Sequence, residues 1–359
     1  MSGNACGRSP PVFPTTSAGA RSAPRWATRE AATAGMAEPY VTVCACTYRR
    51  PEGLRALLRG LAGQRFEEAS RPRFDVVIVD NEGSTQAAAI CSEVARATEL
   101  AVRYVEEPRR GISYARNACL DHVASDADFL AMIDDDEIPE PDWLEQLLRA
   151  QARADADVVR GAVVPVFPDG APSWIRDGNF FGWPKRGRAG TVPLTDGAEL
   201  ASASSNNALV RIAAVRALEL RFDPTLALTG GEDALFFRQM KLAGCRIIYA
   251  AGARVREIVP PDRATFAYLF RLHYGQGCNK VPRKLRLEAK GAGASRFVRM
   301  AAKRIPRECA EIGGGALAVA VSLAGGHADM SRLSPGLLRI AKGVGGLAGL
   351  IGVRFAHYR

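Results

Sequence analysis

The chain has 359 residues, of which 47% are hydrophobic and 24% are charged, as in a soluble globular protein with room for about two domains. Its formal net charge of +10 is concentrated in residues 263–359, where 17 Lys and Arg face 4 Asp and Glu, a local net charge of +13. No zinc-finger spacing, RNA-recognition aromatic motif or heptad repeat accompanies this basic segment. We therefore expect an anionic membrane surface or substrate phosphates as its partner, and no nucleic acid.

Residues 1–39 are predicted to precede the folded part of the chain. They are rich in Ser, Pro, Ala, Gly and Arg and lack the apolar segment of a secretory signal. We interpret them as a disordered extension, or as sequence upstream of a true start at Met36. The eight cysteines form no Cys-x-x-Cys pair, which favours small buried side chains in a reducing compartment.

From Tyr40 onward, apolar strands are predicted to alternate with helices. Strands are predicted at residues 41–47, 74–79, 102–105, 129–133, 158–166, 246–249 and 253–255, and helices from 51, at 85–97, at 111–123 and at 234–243. Residues 167–193, rich in Pro, Gly and Trp, are predicted to be irregular and to shape an acceptor pocket. This alternation predicts an α/β fold with a mixed, mainly parallel central sheet, and such sheets bind ligands at the carboxyl ends of their strands.

The basic region, residues 281–359, contains two apolar segments. Ile312–Gly325 is shorter than the roughly 20 residues that span a bilayer, and Leu333–Val353 is interrupted by Arg339, Lys342 and several glycines. This pattern favours helices that lie in a membrane interface. The alternative is a Gly-rich helical hairpin packed on the preceding domain.

Three consecutive aspartates, Asp134, Asp135 and Asp136, directly follow the predicted strand at 129–133. Like charges this close raise one another's pKa, and a divalent cation relieves their repulsion. In an extended segment Asp134 and Asp136 would point the same way, with Asp135 facing away. Their hard oxygen ligands favour Mg²⁺ or Mn²⁺. The alternative is a solvated acidic turn that caps the following helix.

Three further polar side chains follow strands or begin helices. Asp80 ends the predicted strand at 74–79, where a carboxylate can bind a base or ribose, although a turn or helix cap is an equal alternative. Arg116 and Asn117 lie in the first turns of a helix after a Gly-containing loop, where phosphate oxygens can bind. Such residues are common at helix starts, so this pattern is weak by itself.

Glu232 and Asp233 follow two glycines at a predicted helix start. A carboxylate there stabilises the helix dipole, which explains one of the two, and the second indicates a general base. None of the four histidines lies in a motif, so carboxylates must carry any acid–base chemistry. The chain also lacks a Ser-His-Asp arrangement and a Walker loop, which argues against hydrolases and P-loop NTPases.

Taken in order, these motifs resemble those of family 2 glycosyltransferases with the GT-A nucleotide-sugar-binding fold. The matching segments lie within residues 40–280 and are Val41–Arg49, Asp80, Gly111–Asn117, Asp134–Asp136 and Gly231–Asp233. Glu257–Arg263 and Gly349–Arg359 further resemble the succinoglycan-type exopolysaccharide glycosyltransferases.

The resemblance implies a role for each matching residue. Nucleotide-sugar binding would fall to Thr47, Arg49, Asp80, Arg116, Asn117, Asp134 and Asp135, with Asp80 on the base. Asp136 would bind the metal, Mg²⁺ or Mn²⁺, and Asp233, next to Glu232, would be the catalytic base. Glu257 stands where many relatives have a histidine, and as a carboxylate it can still act as a metal ligand.

The resemblance also implies an activity. The protein would be an inverting hexosyltransferase that moves a sugar from a nucleoside-diphosphate sugar to a lipid-linked glycan, peripherally bound at the cytoplasmic face of the inner membrane. Its pathway would be the synthesis of exopolysaccharide or cell-envelope polysaccharide. The alternatives are a sugar nucleotidyltransferase, a non-catalytic sugar-nucleotide-binding membrane scaffold and, third, a basic nucleic-acid binder.

Overall fold

The computed structural model describes residues 38–67, 71–184, 194–287, 294–326 and 329–356. Nearly all of the predicted N-terminal extension, residues 1–39, lies outside the described residues. The same holds for residues 185–193 of the predicted irregular segment and for residues 357–359.

Eight strands and ten α-helices make up the described part of the chain. The strands are β1 Tyr40–Thr47, β2 Arg73–Asp80, β3 Val102–Glu106, β4 Phe129–Met132, β5 Glu137–Pro139, β6 Val158–Val166, β7 Ala208–Arg211 and β8 Ile247–Ile258. The helices are α1 Pro51–Ala62, α2 Thr85–Ala97, α3 Ile112–Asp121, α4 Trp143–Ala154, α5 Ser173–Asp177, α6 Ile212–Ala217, α7 Glu232–Leu242, α8 Phe266–Leu287, α9 Ala294–Ala324 and α10 Met330–Leu350.

The strands form one sheet in the order β3-β2-β1-β4-β7-β6-β8-β5. Strands β3, β2, β1 and β4 run parallel, β7 is antiparallel to both of its neighbours, and β6 and β8 pair in parallel. The predicted α/β fold with a mixed, mainly parallel sheet is therefore confirmed. Because β1, β2 and β4 are parallel neighbours, the polar residues that follow them meet at one edge of the sheet.

Each face of the sheet is covered by a separate apolar core. Helices α1, α2 and α4 pack on one face, and α3, α6 and α7 pack on the other. Leu54, Leu57, Leu58 and Leu61 of α1 recur at helical spacing and are fully buried. Burial of each such side chain stabilises the fold by about 1.5–3 kcal/mol, so α1 anchors the loop that follows β1.

The sequence prediction differs from the structure at β5, β7 and β8, and no strand is predicted over Ala208–Arg211, where the structure has β7. The two predicted closing strands are one strand, β8, which pairs with β6 through a register shift between Gly161 and Ala162 that absorbs residues 251–253. The short strand β5 was not predicted, because three residues after an acidic cluster carry no readable period. Strand β5 pairs with β8 at the edge of the sheet and thereby fixes the segment that follows the aspartates.

The three C-terminal helices pack together through glycines. Backbone atoms of α10 contact α8 at Gly277 and Gly345, and α9 contacts α10 at Gly315 and Gly336, where a Cβ atom would clash. This is the packing that the hairpin alternative describes. In the part of the chain that is described, no helix combines the length and apolar character needed to cross a membrane. The predicted domain boundary at 280/281 falls inside α8, and the division of the chain into domains stays a prediction.

Candidate active site

A cleft of about 910 Å³ opens at the carboxyl ends of β1 and β4. One wall is the segment after β4 together with the start of α7, and another is formed by α8 and α10. Of the predicted site residues, those lining this cleft are Thr47, Arg116, Asp134, Asp135, Asp136, Glu232, Asp233 and Glu257. The structure thus brings together residues separated by up to 210 positions in the sequence.

The three aspartates lie in a turn, and the prediction of an extended segment is wrong. The Glu137 backbone amide donates to the Asp134 carbonyl oxygen at 3.1 Å, because β5 begins immediately after the turn. In a turn, side chains do not alternate between two faces as they do in a strand, so Asp134 and Asp136 do not point in the same direction. Instead, Asp135 and Asp136 share the guanidinium of Arg50, at 2.8 and 2.7 Å. Asp135 is buried and also accepts a hydrogen bond from the Thr47 hydroxyl at 2.9 Å.

Asp136 is neutralised by two arginines. Oδ2 of Asp136 accepts from Arg50 and, at 3.2 Å, from Nη1 of Arg263. Burial lowers the pKa of Arg50, but the negative charges of Asp135 and Asp136 raise it by more. The pKa of Arg50 therefore lies above its ordinary value, and the guanidinium stays protonated. Burial raises the pKa of Asp135 despite the nearby Arg50. These arginines compensate a cluster of negative charge that would otherwise be costly.

Arg116 and Glu232 form an ion pair at the floor of the cleft. The Arg116 side chain is 8% exposed and that of Glu232 is 1% exposed, and Nη1 of the arginine donates to Oε1 of the carboxylate. Nη2 of Arg116 also lies 3.6 Å from Oδ1 of Asp134. Burial raises the pKa of Glu232 to about 7 and that of Asp134 to about 7, in both cases against the lowering effect of Arg116.

Asp233 lies beside this pair at the start of α7. Gly230 and Gly231 adopt φ values of 76° and 87°, which a residue with a side chain rarely adopts, and they turn the chain into the helix. The Asp233 carboxylate is half-buried, lines the cleft and accepts from the Ala234 amide at 2.6 Å. Glu232 is held by Arg116, whereas Asp233 faces the space where a substrate would bind.

Strand pairing brings Glu257 next to the aspartates. Glu257 of β8 is the register partner of Glu137 in β5, and the Ile258 amide donates to the Asp136 carbonyl oxygen at 2.9 Å. The Glu137 carboxylate is buried and accepts from the Asp134 amide and the Asn206 side chain. Among the described residues, no three His, Cys, Asp or Glu side chains are arranged as a ready metal site.

Asp80 lies outside the main cleft, in a small side pocket that shares Thr47 with it. Its carboxylate accepts from the amides of Glu82 and Ser84 and from the Tyr104 hydroxyl, at 2.8–2.9 Å. These contacts shape the loop after β2, as the turn alternative describes. Arg49 lines the same side pocket, is 67% exposed in its side chain and pairs with Glu82. Base binding by Asp80 and Arg49 stays a prediction.

Asn117 is directed away from the cleft. Its side-chain oxygen accepts from the Phe222 amide and its amide donates to the Phe222 carbonyl oxygen, both at 2.9 Å. These bonds tie α3 to the segment before α7. Asn117 does not line the cleft beside Arg116, because consecutive residues of a helix point in different directions, and its predicted nucleotide contact stays a prediction.

Sequence reasoning missed several cleft residues. Beyond the sequence-predicted site, the cleft is lined by Arg50, Arg263, Tyr268, Arg271, Lys280 and Lys342, among others. Arg50 stands one position after a predicted residue, and Arg263 falls inside the segment Glu257–Arg263 that carried the closer resemblance. No local sequence pattern marks the cleft residues of α8 and α10, since the packing of these helices brings them to the cleft.

The sequence is similar to known glycosyltransferases. Residues 42–218 match the family model described as glycosyl transferase family 2. The succinoglycan biosynthesis protein ExoM of Rhizobium meliloti (strain 1021) is 37% identical over 238 residues, 66% of this chain and 73% of that protein. ExoW of the same organism, also a succinoglycan biosynthesis protein, is 30% identical over 33% of this chain and 35% of its own length.

The fold has a solved counterpart in the mannosyltransferase PcManGT from Pyrobaculum calidifontis in complex with GDP-Man and Mn²⁺. The TM-score is 0.55 at 18% identity, and the match covers 87% of this chain and 88% of that chain. The chain belongs to glycosyltransferase family 2. It is a glycosyltransferase, which sets aside the nucleotidyltransferase and the non-catalytic scaffold.

Proposed function

We propose that the protein transfers a sugar from a nucleoside-diphosphate sugar to a hydroxyl of a lipid-linked glycan, with inversion, in exopolysaccharide or cell-envelope polysaccharide synthesis. The observation that carries this proposal is the shared cleft. It joins the acidic turn, the buried Arg116 and the half-buried Asp233 at the carboxyl edge of the sheet. The similarity to two succinoglycan biosynthesis proteins supports the pathway and the glycan acceptor.

The residues at the acidic turn fit a divalent cation by their chemistry. Asp136 and Glu257 would hold Mg²⁺ or Mn²⁺, since hard carboxylate oxygens suit either ion. Oδ1 of Asp136 accepts no hydrogen bond from the described residues, while Arg50 and Arg263 occupy Oδ2. The bound ion would neutralise charge on the donor's diphosphate. The presence of Mn²⁺ in the solved mannosyltransferase complex supports this assignment.

In the proposed reaction, Asp233 takes the proton of the acceptor hydroxyl as its oxygen bonds to the anomeric carbon. The bond from that carbon to the diphosphate breaks in the same step, so the configuration inverts. Arg116 offers a buried positive charge toward the departing diphosphate, and Glu232 positions Arg116. A positioned base of this kind typically contributes about 10²–10⁴-fold in rate.

We also propose that the protein binds an anionic membrane at the cytoplasmic face of the inner membrane. Leu317 and Val321 of α9 are 65% and 63% exposed and lie four residues apart on one helix face. The surrounding region has a net charge of +13 over residues 263–359. Both features are typical of a helix lying in a lipid interface.

The membrane proposal predicts that Leu317→Gln/Val321→Gln reduces flotation with vesicles that contain about one third anionic lipid, because apolar contact is lost. The control is Lys241→Gln, which removes a positive charge from the distant helix α7 and should leave flotation unchanged. Equal flotation of the double variant and the wild type would contradict the role of α9.

The donor proposal is tested with a panel of nucleotide sugars, with and without Mn²⁺. We expect one of them to raise the midpoint of thermal unfolding and to be hydrolysed slowly without acceptor, both only when the metal is present. In a second assay with acceptor and labelled donor, the label of the sugar, and not that of the nucleotide, must appear in the product. If no nucleotide sugar stabilises the protein, the proposal is overturned.

A further inference from the structure

The helical wall of the cleft carries positive charge that the proposed transfer reaction does not use. Lys280 of α8 and Lys342 of α10 line the cleft, with Arg271 of α8 nearby on the same wall. In the part of the chain that the structure describes, neither Arg271 nor Lys342 has a carboxylate within 4 Å. Cations that line a cleft and have no nearby carboxylate partner attract an anion.

Lys280 lies among other cations. Its Nζ is 3.9 Å from Oε1 of Glu308, and Arg304 approaches the same oxygen at 3.2 Å. Two positive charges therefore share one buried carboxylate. Burial lowers the pKa of Lys280 more than Glu308 raises it, and the positive neighbours Arg304 and Lys342 lower it further. An anion bound beside Lys280 would relieve this repulsion.

The position of these lysines relates them to the acceptor side of the cleft. Asn279, the neighbour of Lys280, donates to the Thr229 carbonyl oxygen at 2.6 Å, four residues before Asp233. The predicted nucleotide-binding residues Thr47 and Asp80 belong to other elements, since they end strands β1 and β2. A molecule that reaches Asp233 from the helical wall would pass the lysines.

We propose that Lys280 and Lys342, helped by Arg271, bind a phosphate or diphosphate group of the acceptor, so that the acceptor is a phosphate-bearing glycan. This inference rests on the proposed function, because it names the acceptor class of the same transfer reaction. The same chemistry would also fit the donor's diphosphate. The test therefore has two arms, one for binding of the donor's diphosphate and one for binding of an acceptor phosphate.

The experiment uses the full chain and isothermal titration calorimetry. The first arm titrates ADP, CDP, GDP and UDP with Mn²⁺, and the second titrates farnesyl diphosphate into protein saturated with whichever nucleotide binds. Farnesol, which lacks the phosphates, is the matched ligand control. The variants are Lys342→Gln and Lys280→Gln/Lys342→Gln. The single variant should fold normally, because Lys342 forms no ion pair with the described residues.

We expect the double variant to bind farnesyl diphosphate at least about tenfold more weakly, and the single variant to show part of that loss, since each lysine supplies a charge-assisted contact. Nucleoside-diphosphate affinity should stay the same. Lys303→Gln/Arg332→Gln removes two exposed positive charges from α9 and α10 outside the cleft, and it should bind both ligands like the wild type. Thermal unfolding verifies that each variant is folded.

Two results would overturn the inference: unchanged affinity for farnesyl diphosphate in both lysine variants, or a parallel loss of nucleotide affinity, which would assign the lysines to the donor. Absence of farnesyl diphosphate binding by the nucleotide-bound wild type would overturn it as well. If the wild type binds no nucleotide but binds farnesyl diphosphate through the lysines, the donor proposal fails and the phosphate site stands.

Discussion

Replacing Arg116 with Met should destabilise the protein by an amount that grows with pH. The Arg116 guanidinium is the cation that lowers the pKa of Glu232, whose side chain is 1% exposed. Removing one partner of a buried pair typically costs about 3–5 kcal/mol, because the remaining charge is left uncompensated. Glu232 can avoid part of this cost by taking up a proton.

The pH dependence follows from the number of protons bound. Burial raises the pKa of Glu232 to about 7 in the wild type, so above pH 7 its carboxyl group is ionised in both the folded and the unfolded chain. Without Arg116 that pKa rises further, and the folded variant keeps a proton that the unfolded chain has lost. Stability then falls as pH rises, by about 1.4 kcal/mol per pH unit. The added loss between pH 7 and pH 8.5 is about 2 kcal/mol.

Urea unfolding followed by tryptophan fluorescence at these two pH values measures the effect. Arg116→Met/Glu232→Gln is the matched control, because the amide at position 232 cannot ionise. The double variant should lose less stability with rising pH than Arg116→Met and keep only the part due to Asp134, whose pKa Arg116 also lowers. An Arg116→Met variant that loses the same free energy at both pH values would refute the reasoning. So would a double variant with the same slope as the single one.

Three further outcomes are expected at the cleft and the helices. Asp233→Asn should lower sugar transfer by about 10²–10⁴-fold with nucleotide binding retained, measured by steady-state kinetics and calorimetry; retained turnover would exclude Asp233 as the base. Asp136→Ala should lower turnover by about 10²–10³-fold and abolish the response to Mn²⁺, and a persistent Mn²⁺ response would place the metal elsewhere. Gly277→Ala should lower the thermal midpoint, because its Cβ would collide with the Lys342 carbonyl oxygen of α10, whereas Gly313→Ala, with open space around it, should not.

Helices and strands could be predicted from the sequence where the pattern of apolar residues extended over many positions. Helix α2 and strand β6 begin and end at the predicted residues. The capping hydroxyl of Ser84 fixes the start of α2, and the run of apolar residues fixes β6. Strand β5 could not be predicted, because it depends on pairing with β8, 120 residues later.

The candidate site was predictable as a set of motifs but not in its contacts. The motif predicts a role for Arg49, yet the guanidinium that binds Asp135 and Asp136 belongs to Arg50. The backbone of Arg49 has a φ of 56°, so the chain changes direction between Arg49 and Arg50. Nothing in the sequence predicts that an arginine adopts this left-handed conformation. Lys280 and Lys342 are neighbours only because glycines let α8 and α10 approach closely, and such packing leaves no local pattern.

Helix α8 begins beside the cleft and continues into the C-terminal bundle, so the C-terminal helices form part of the wall of the candidate site. Cutting the chain after Arg307 would remove Lys342 and uncover Cys278 of α8, which is 0% exposed and packs against Gly345 and Gly349 of α10. Loss of activity in such a fragment would therefore carry no information about membrane attachment. The proposed membrane contact therefore has to be tested by substituting single exposed side chains of α9, such as Leu317 and Val321, and not by truncation.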